Sequence, residues 1–365
     1  DDVIPMWVAD MDFETAPCII EALRKRVDHG IFGYTLVPES YYSAIINWYS
    51  RRHWWRIERE WIMYTSGVVP ALSATIKALC NPGDKVIVQT PVYNCFFSSI
   101  RNNGCEIVEN PLLRSGDSYQ MDFDDLEKKV ADPRVKLLVL CNPHNPVGRV
   151  WEKKMLANLN HICMQHDVVV VSDEIHGEIV MPNHTYVPFA SVNSVCQDNS
   201  ITLCSPSKSF NTAGLQIANI ISNNADVRRR IDRAININEV CDVNPFGVIA
   251  LQAAYNEGED WLTALNGYLY DNYQALCQFF SENLPQLPIT RLEGTYLVWV
   301  DITATGFTSD ELTQRLLNEG RVLVNSGTMY GETAGEGFIR LNIACPRERM
   351  MEGLRRIKNG LTDGA

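Results

Sequence analysis

The chain is 365 residues long, and its 32 Lys and Arg against 44 Asp and Glu leave a formal net charge of −12. That balance offers no basic field to a nucleic-acid backbone, and 46% hydrophobic with 21% charged residues places the chain among globular proteins rather than disordered or collagen-like ones. The longest apolar runs, over 135–141 and 168–171, fall far short of the roughly 20 residues that cross a bilayer, so no membrane partner is expected.

At about 150 residues per domain the length predicts roughly two domains. Asp1 opens the chain without a methionine; a short native N-terminus is expected before it, and no basic stretch with an apolar run of the secretory kind follows. Eleven cysteines spread from Cys18 to Cys345 with no C-x-x-C spacing predict reduced core thiols in a cytoplasmic protein. A helix over 18–27 comes first. A short strand then passes through Thr65-Ser66-Gly67-Val68-Val69-Pro70 into a helix over 68–80. Apolar, β-branched runs over 85–89, 136–141, 168–172, 201–205 and 216–222 read as strands, and three-to-four spacing of apolar residues predicts helices over 122–130 and 152–165. The alternation means an α/β fold, a mostly parallel sheet covered by helices. Helices over 227–237 and 261–282 lead to a second αβ region: strand 296–301, helix 309–319, strand 338–343, helix 346–359. The expected division is a large domain of residues 37–255 and a small domain made of 1–36 and 256–365, packed together without a long linker.

Ligands of open α/β sheets bind beyond the carboxyl ends of the strands, and the unusual polar residues collect at such ends. After 136–141 comes Asn142-Pro143-His144-Asn145-Pro146-Val147-Gly148; the prolines fix a turn and leave the asparagine amides free for a ligand. After 168–171 comes Ser172-Asp173-Glu174-Ile175-His176, a carboxylate at the end of an almost uncharged strand. Asp173 could serve a metal, a basic ring nitrogen or a helix cap, but neither H-E-x-x-H nor a Cys/His pair accompanies it, so no metal is expected. After 201–204 comes Ser205-Pro206-Ser207-Lys208-Ser209-Phe210-Asn211. Most lysines are solvated, yet among apolar neighbours the pKa falls and the amine becomes a nucleophile able to form a Schiff base. Lys208 is the best nucleophile candidate in the chain. Amides exposed where Gly67, Val68 and Val69 open a helix attract a phosphate, although neither the P-loop nor the dinucleotide fingerprint is present.

Together these residues ask for a ligand with a phosphate, an aldehyde, a basic ring nitrogen and, for Asn145, a phenolic oxygen. Pyridoxal 5'-phosphate has all four. With the motifs in this order, the sequence resembles the fold-type I, or aspartate aminotransferase, superfamily of pyridoxal-phosphate enzymes over essentially its whole length. The resemblance implies that Lys208 bonds the cofactor aldehyde, Asp173 pairs with the pyridinium nitrogen, Asn145 bonds the ring hydroxyl and Tyr93 stacks on the ring. It assigns the phosphate to Ser205, Ser207 and the amides of Gly67 to Val69. Arg340, in Gly337-Phe338-Ile339-Arg340-Leu341-Asn342, matches the clamp of the substrate carboxylate, a bidentate task that suits its planar fork. Tyr34 resembles the tyrosine that reaches the phosphate of a neighbouring subunit, which implies a homodimer with shared active sites.

Within the superfamily, three features resemble the bacterial carbon–sulfur β-lyases of the cystathionine β-lyase and cystalysin type. Pro5-Met6-Trp7-Val8-Ala9-Asp10-Met11-Asp12-Phe13 looks like their N-terminal hallmark, with Trp7 expected near the substrate. His176 stands three residues after Asp173 where aminotransferases usually carry tyrosine, and is still able to donate to the ring oxygen. Gln216 stands eight residues after Lys208 in place of a phosphate-binding arginine. Glu293-Gly294-Thr295-Tyr296-Leu297 also looks like this branch, while Asn94, next to Tyr93, occupies a position that varies within it. The implied reaction is β-elimination from a sulfur amino acid, L-cystathionine or L-cysteine: Lys208 removes the Cα proton, sulfur leaves Cβ, and pyruvate and ammonia result. Aminotransfer by the same residues is the nearest alternative. A regulatory protein that acts by contacting a partner is an alternative of a different class.

Overall fold

The computed structural model describes residues 2–237, 239 and 242–362. Seven strands form the main sheet: β1 (Ile62–Thr65), β2 (Lys85–Val88), β3 (Glu106–Glu109), β4 (Val135–Cys141), β5 (Val169–Asp173), β6 (Ser200–Cys204) and β7 (Ala218–Ile221). Their order across the sheet is β1-β7-β6-β5-β4-β2-β3. β7 runs antiparallel to both its neighbours, and the ladders from β6 across to β3 are parallel. Strands covered on both faces need apolar side chains at nearly every position rather than at alternate ones. That is why β4, Val-Lys-Leu-Leu-Val-Leu-Cys, is buried along its length apart from the half-buried Lys136.

One face of the sheet is covered by the helix Val68–Leu79, which packs on Cys95–Asn102 and Ala225–Asn236. Helices Phe123–Val130 and Lys153–Met164 pack together over the other face. Two N-terminal helices, Pro17–His29 and Glu39–His53, lie against Pro245–Glu257. Helix Glu39–His53 is tied to the chain just beyond β5 through the buried Glu178, which accepts from Trp48 Nε1 and His53 Nε2 at 2.7 Å and from Arg52 Nε at 2.9 Å. No helix of the described residues is long and apolar enough to cross a membrane.

The C-terminal region adds an antiparallel sheet in the order β8-β10-β9, with β8 (Leu297–Asp301), β9 (Asn325–Ser326) and β10 (Phe338–Asn342). Its helices are Glu259–Asn283, Ser309–Asn318 and Arg347–Thr362. The N-terminal segment joins this region, since Ile4–Pro5 pairs in parallel with Val322–Leu323. Residues 7–13 then cross as a strap toward the main sheet. Asn342 Nδ2 holds the strap carbonyls of Val8 and Asp10 at 2.5 and 2.7 Å, and Asn211 Nδ2 holds those of Met11 and Phe13, both at 2.9 Å.

The strands and helices read from sequence pattern fall within one or two residues of those observed, apart from the last helix, expected over 346–359, which runs on to Thr362. The helix expected over 261–282 is Glu259–Asn283, and a further helix that the pattern did not show, Pro245–Glu257, precedes it across Gly258. There the aromatic ring of Phe210 approaches so closely that a Cβ would meet it at 2.5 Å. The described cysteines are free thiols, and Cys241 lies outside the described residues.

Candidate active site

Register places the chemistry on one edge. Asp173, the last residue of β5, sits opposite Cys141 on β4 and Leu203 on β6, so these strands end level. The loops from Asn142 and from Ser205 therefore leave the sheet beside Asp173. On the β2 side, Val88 is level with Val139, and the chain runs on through Pro91 to Tyr93. At the other side, Ala218 of β7 pairs with Thr65 while the neighbouring Ile217 carbonyl accepts from Ser205 Oγ at 2.6 Å. The Gly67 turn and the Ser205 loop thus flank the same strand end.

Asp173 is buried, and its carboxylate accepts one hydrogen bond among the described residues, from Ile175 N at 3.1 Å. Burial pushes its carboxyl up to about 7, with Glu174 adding to the rise and Lys208 opposing it. Glu174, next in sequence, is differently placed. It takes Ser172 Oγ at 2.7 Å, Phe189 N at 2.8 Å and the Tyr186 hydroxyl. One carboxylate is saturated by its own chain and the other is left facing the site.

Lys208 is half-buried, and burial followed by the Arg340 charge lowers its pKa. Its Nζ donates to the Ala9 carbonyl on the strap at 2.5 Å, and Tyr296 OH donates to the same oxygen at 3.0 Å. Arg340, on β10, is buried. Its Nη1 donates to Asn145 Oδ1 at 3.0 Å and its Nη2 to the Trp7 carbonyl at 2.6 Å, while Nε has no partner. Its guanidinium carbon lies 4.9 Å from the Tyr330 ring centre. Burial lowers its pKa and only the tyrosine hydroxyls of residues 330, 296 and 93 counter that. A guanidinium held this way lacks a carboxylate.

His176 is buried with Nδ1 unpartnered and its ring edge-on to Tyr296 at 5.7 Å. Burial, then Lys208 and Arg340, holds its pKa well down, so the ring is a neutral donor or acceptor. Tyr93 is half-buried, and the Asp173 and Arg340 charges both act on its phenol. Ser205 Oγ donates to Ile217 O, so in the 2.7 Å contact with Ser207 Oγ it is Ser207 that donates. The helix that starts at Val68 has no side-chain cap, which leaves its first amides open to an anion.

Lys208, Asp173, Asn145, His176, Tyr93 and Arg340 are thus brought together, with Ser205, Ser207 and the Gly67–Val69 turn on the flank. Trp7 reaches the site through its carbonyl, and its indole is 42% exposed. Tyr34 is outside this cluster and 98% exposed. Sequence reasoning missed the strap carbonyls of Trp7 and Ala9, Tyr330 under Arg340, and His144. The last is buried with Nε2 2.8 Å from the Pro91 carbonyl, linking the Asn145 turn to the Tyr93 loop, and burial holds its pKa down at about 4. A backbone carbonyl leaves no mark in sequence, but His144 lay inside the run already singled out.

These residues suit pyridoxal phosphate. The open helix terminus and two hydroxyls match a phosphate, Asp173 a protonated ring nitrogen, Lys208 an aldehyde, and the orphaned His176 Nδ1 and Arg340 Nε are buried polar atoms still short of a partner.

Comparison with known proteins points the same way. Residues 1–357 match the family of class I and II aminotransferases. The chain is 44% identical to the cystathionine beta-lyase PatB of Bacillus subtilis, over 99% of this chain and 93% of that protein. It is 33% identical to protein MalY of Escherichia coli, over 99% and 92% respectively. Cystalysin from Treponema denticola, solved with pyridoxal 5'-phosphate, superposes with a TM-score of 0.97 at 36% identity, covering 100% of this chain and 92% of that one.

Proposed function

The chain belongs to the class I and II aminotransferase family, and from that premise we propose that it is a pyridoxal-phosphate-dependent carbon–sulfur β-lyase acting on L-cystathionine, L-cysteine or both. The observation that carries the reading is the buried trio of Arg340 without a carboxylate, Asp173 without a cation and Lys208 with a depressed pKa, in a chain 44% identical to a cystathionine β-lyase.

When bound, the cofactor supplies an aldehyde and a conjugated ring that accepts the electron pair left at Cα. The chain's residues do the rest. Arg340 binds the substrate carboxylate through its free N–H groups, each charged hydrogen bond contributing roughly 1.5 to 3 kcal/mol. Asn145 fixes the guanidinium from one side and the Trp7 carbonyl from the other. Asp173 keeps a proton on the ring nitrogen; that cation in turn holds the buried carboxyl ionised. Lys208 takes the Cα proton, and its lowered pKa leaves more of the amine in the basic form needed at neutral pH. The Cβ–S bond then breaks with its electron pair on sulfur, and Lys208 is placed to return a proton to the leaving group. Water completes the release of pyruvate and ammonia. Neutral His176 is a donor for the ring oxygen, and Ser205, Ser207 and the amides of Gly67 to Val69 hold the phosphate without the cation that an arginine at 216 would add.

Residues 37–255 form the cofactor-binding domain in this reading, and 1–36 with 256–365 the small domain. A second copy of the chain completes the site. Tyr34 is exposed at 98% beside Leu36 at 90% and Ile31 at 67%, a concentration of apolar surface suited to burial in an interface, from which Tyr34 reaches the partner's phosphate. Sedimentation should give a dimer.

The direct test is incubation of the pyridoxal-phosphate-loaded protein with each amino acid in the absence of keto acid. Repeated turnover to pyruvate, with sulfide or thiol release, is expected. No turnover until a keto acid is supplied would make the protein an aminotransferase instead.

A further inference from the structure

The strap carries a seat for a cation, and in this structure the chain's own ammonium fills it. Lys208 Nζ is 2.5 Å from the Ala9 carbonyl. That oxygen is fixed from several directions: Tyr296 OH donates to it at 3.0 Å, Asn342 holds the carbonyls of Val8 and Asp10 on either side, and Asn211 holds Met11 and Phe13 beyond. Asp10 supplies the charge. It follows Ala9 directly in the strap, and its carboxylate acts on both the Lys208 amine and the Tyr296 phenol.

The two carboxylates of the strap have different occupations. Asp12 pairs with Arg349 at 3.0 Å. Asp10 is exposed, lines a small cleft of about 180 Å³ with Trp7, Val8 and Asn342, and its side chain has no hydrogen-bond or ion-pair partner among the described residues. The same strap holds the carboxylate clamp, because Arg340 Nη2 donates to the Trp7 carbonyl two residues before Ala9. Clamp and seat are therefore at most about 7 Å apart along the chain.

Lys208 leaves the seat when it engages the cofactor aldehyde, and once the substrate's α-amine has displaced it there, the freed lysine serves as the neutral base at Cα rather than as an ammonium on the strap. A substrate clamped at Arg340 by its α-carboxylate has its α-amine committed to that same aldehyde. Any further cation must come from the far end of the side chain. We propose that Asp10, with the Ala9 carbonyl, receives the distal ammonium of thioether or disulfide bis-amino acids such as L-cystathionine, and so sets the preference for them over L-cysteine. This rests on the lyase reading for its catalytic consequence. The binding preference stands apart from it.

Asp10→Asn keeps the shape and removes the charge. For the loaded enzyme, kcat/KM on L-cystathionine should fall about fivefold, the upper range for one exposed ion pair, mainly through KM, and on L-cysteine by less than about twofold. Equal losses on both substrates, or no loss on either, would overturn the proposal. Binding gives the second arm, read by tryptophan fluorescence with two non-reacting carba analogues. Wild type should bind 2,7-diaminosuberate, the isostere of cystathionine, about fivefold more tightly than 2-aminosuberate, which lacks the distal amine, and Asp10→Asn should bind the two alike. A wild type without that preference sinks the role of Asp10. A wild type that shows the preference yet makes no pyruvate sinks the lyase reading alone.

Discussion

Two buried arginines divide the molecule into a part that is finished and a part that waits. Arg149, beyond β4, donates to Glu293, to Glu152 Oε1 at 2.8 Å and to the carbonyls of Val150 and Tyr119 at 2.9 and 3.0 Å. Burial works against its charge, yet Glu152 and Glu293 hold its pKa above the ordinary value. Arg340 is as deeply buried, and nothing acidic answers it; its pKa is lowered and its Nε is idle. The same side chain is a structural joint in one place and a receptor in the other, and what separates them is the accounting of N–H groups. A buried charge that its own chain does not neutralise is held there for something that arrives.

Substitutions test that division. The largest effect is expected at the waiting site's centre: Lys208→Ala should cost at least about 10⁴-fold in turnover, the upper range for losing an acid–base group, and remove the absorption of the lysine–cofactor bond. Survival of that absorption would assign the aldehyde to another group. Next come the arginines themselves, where activity and stability should move in opposite patterns. Arg149→Met strands the buried Glu293 and should lower unfolding stability by about 3 to 5 kcal/mol. Arg340→Met strands no charge; it removes an uncompensated buried cation, which offsets the donor lost to Asn145 Oδ1 and the Trp7 carbonyl, so its stability in urea should match wild type within about 1 kcal/mol, while kcat/KM falls about 100-fold through the lost charged hydrogen bonds. If both variants unfold alike, the distinction between joint and receptor fails.

Asp173 sharpens the contrast through pH. Its folded pKa is raised from 3.8 to about 7, so the folded state binds the proton more tightly than the unfolded one. Its contribution is present below pH 3.8 and is lost as pH rises through 7, a change of roughly 4 kcal/mol over that window. The cofactor-free Asp173→Asn protein should therefore melt above wild type at pH 8, with the gap closing toward pH 4. A gap independent of pH would mean that the carboxyl is not desolvated. The smallest effect is expected from Gln216→Arg, which restores a cation near the phosphate end and should slow cofactor loss on dialysis about fivefold.

Much of this was legible in the sequence because it rests on local chemistry. The Asn142–Gly148, Ser172–His176 and Ser205–Asn211 runs each follow an apolar strand, and strand ends announce themselves by the change in composition. β3, with exposed Glu106 and Glu109 around half-buried Ile107 and Val108, lies at the sheet edge and has no comparable apolar run, so it passed unseen. Helix Glu39–His53 was missed for a related reason: tyrosines and tryptophans buried among charged neighbours blur the three-to-four spacing. The resemblance puts the strap near the substrate, but how it is fastened could not be read. Its bonds to Arg340, Lys208, Asn211 and Asn342 run through backbone carbonyls, and any residue but its neighbours' geometry would present the same oxygen.

The strap also has a bearing on the order of assembly. Its fastenings join residues 333 and 334 positions apart, Trp7 with Arg340 and Val8 with Asn342, close to the greatest separation this chain allows. Contacts between distant positions form late because the loop between them must first be closed. During synthesis, the main sheet can gather once β7 has emerged, but the strap's fastenings in the C-terminal region follow one after another, Tyr296 on Ala9, then Asn325 on Trp7, and last Arg340 and Asn342 as β10 leaves the ribosome. A growing chain can thus own its lysine, its Asp173 and its phosphate turn well before the clamp exists, and its competence for substrate arrives only once β10 has emerged.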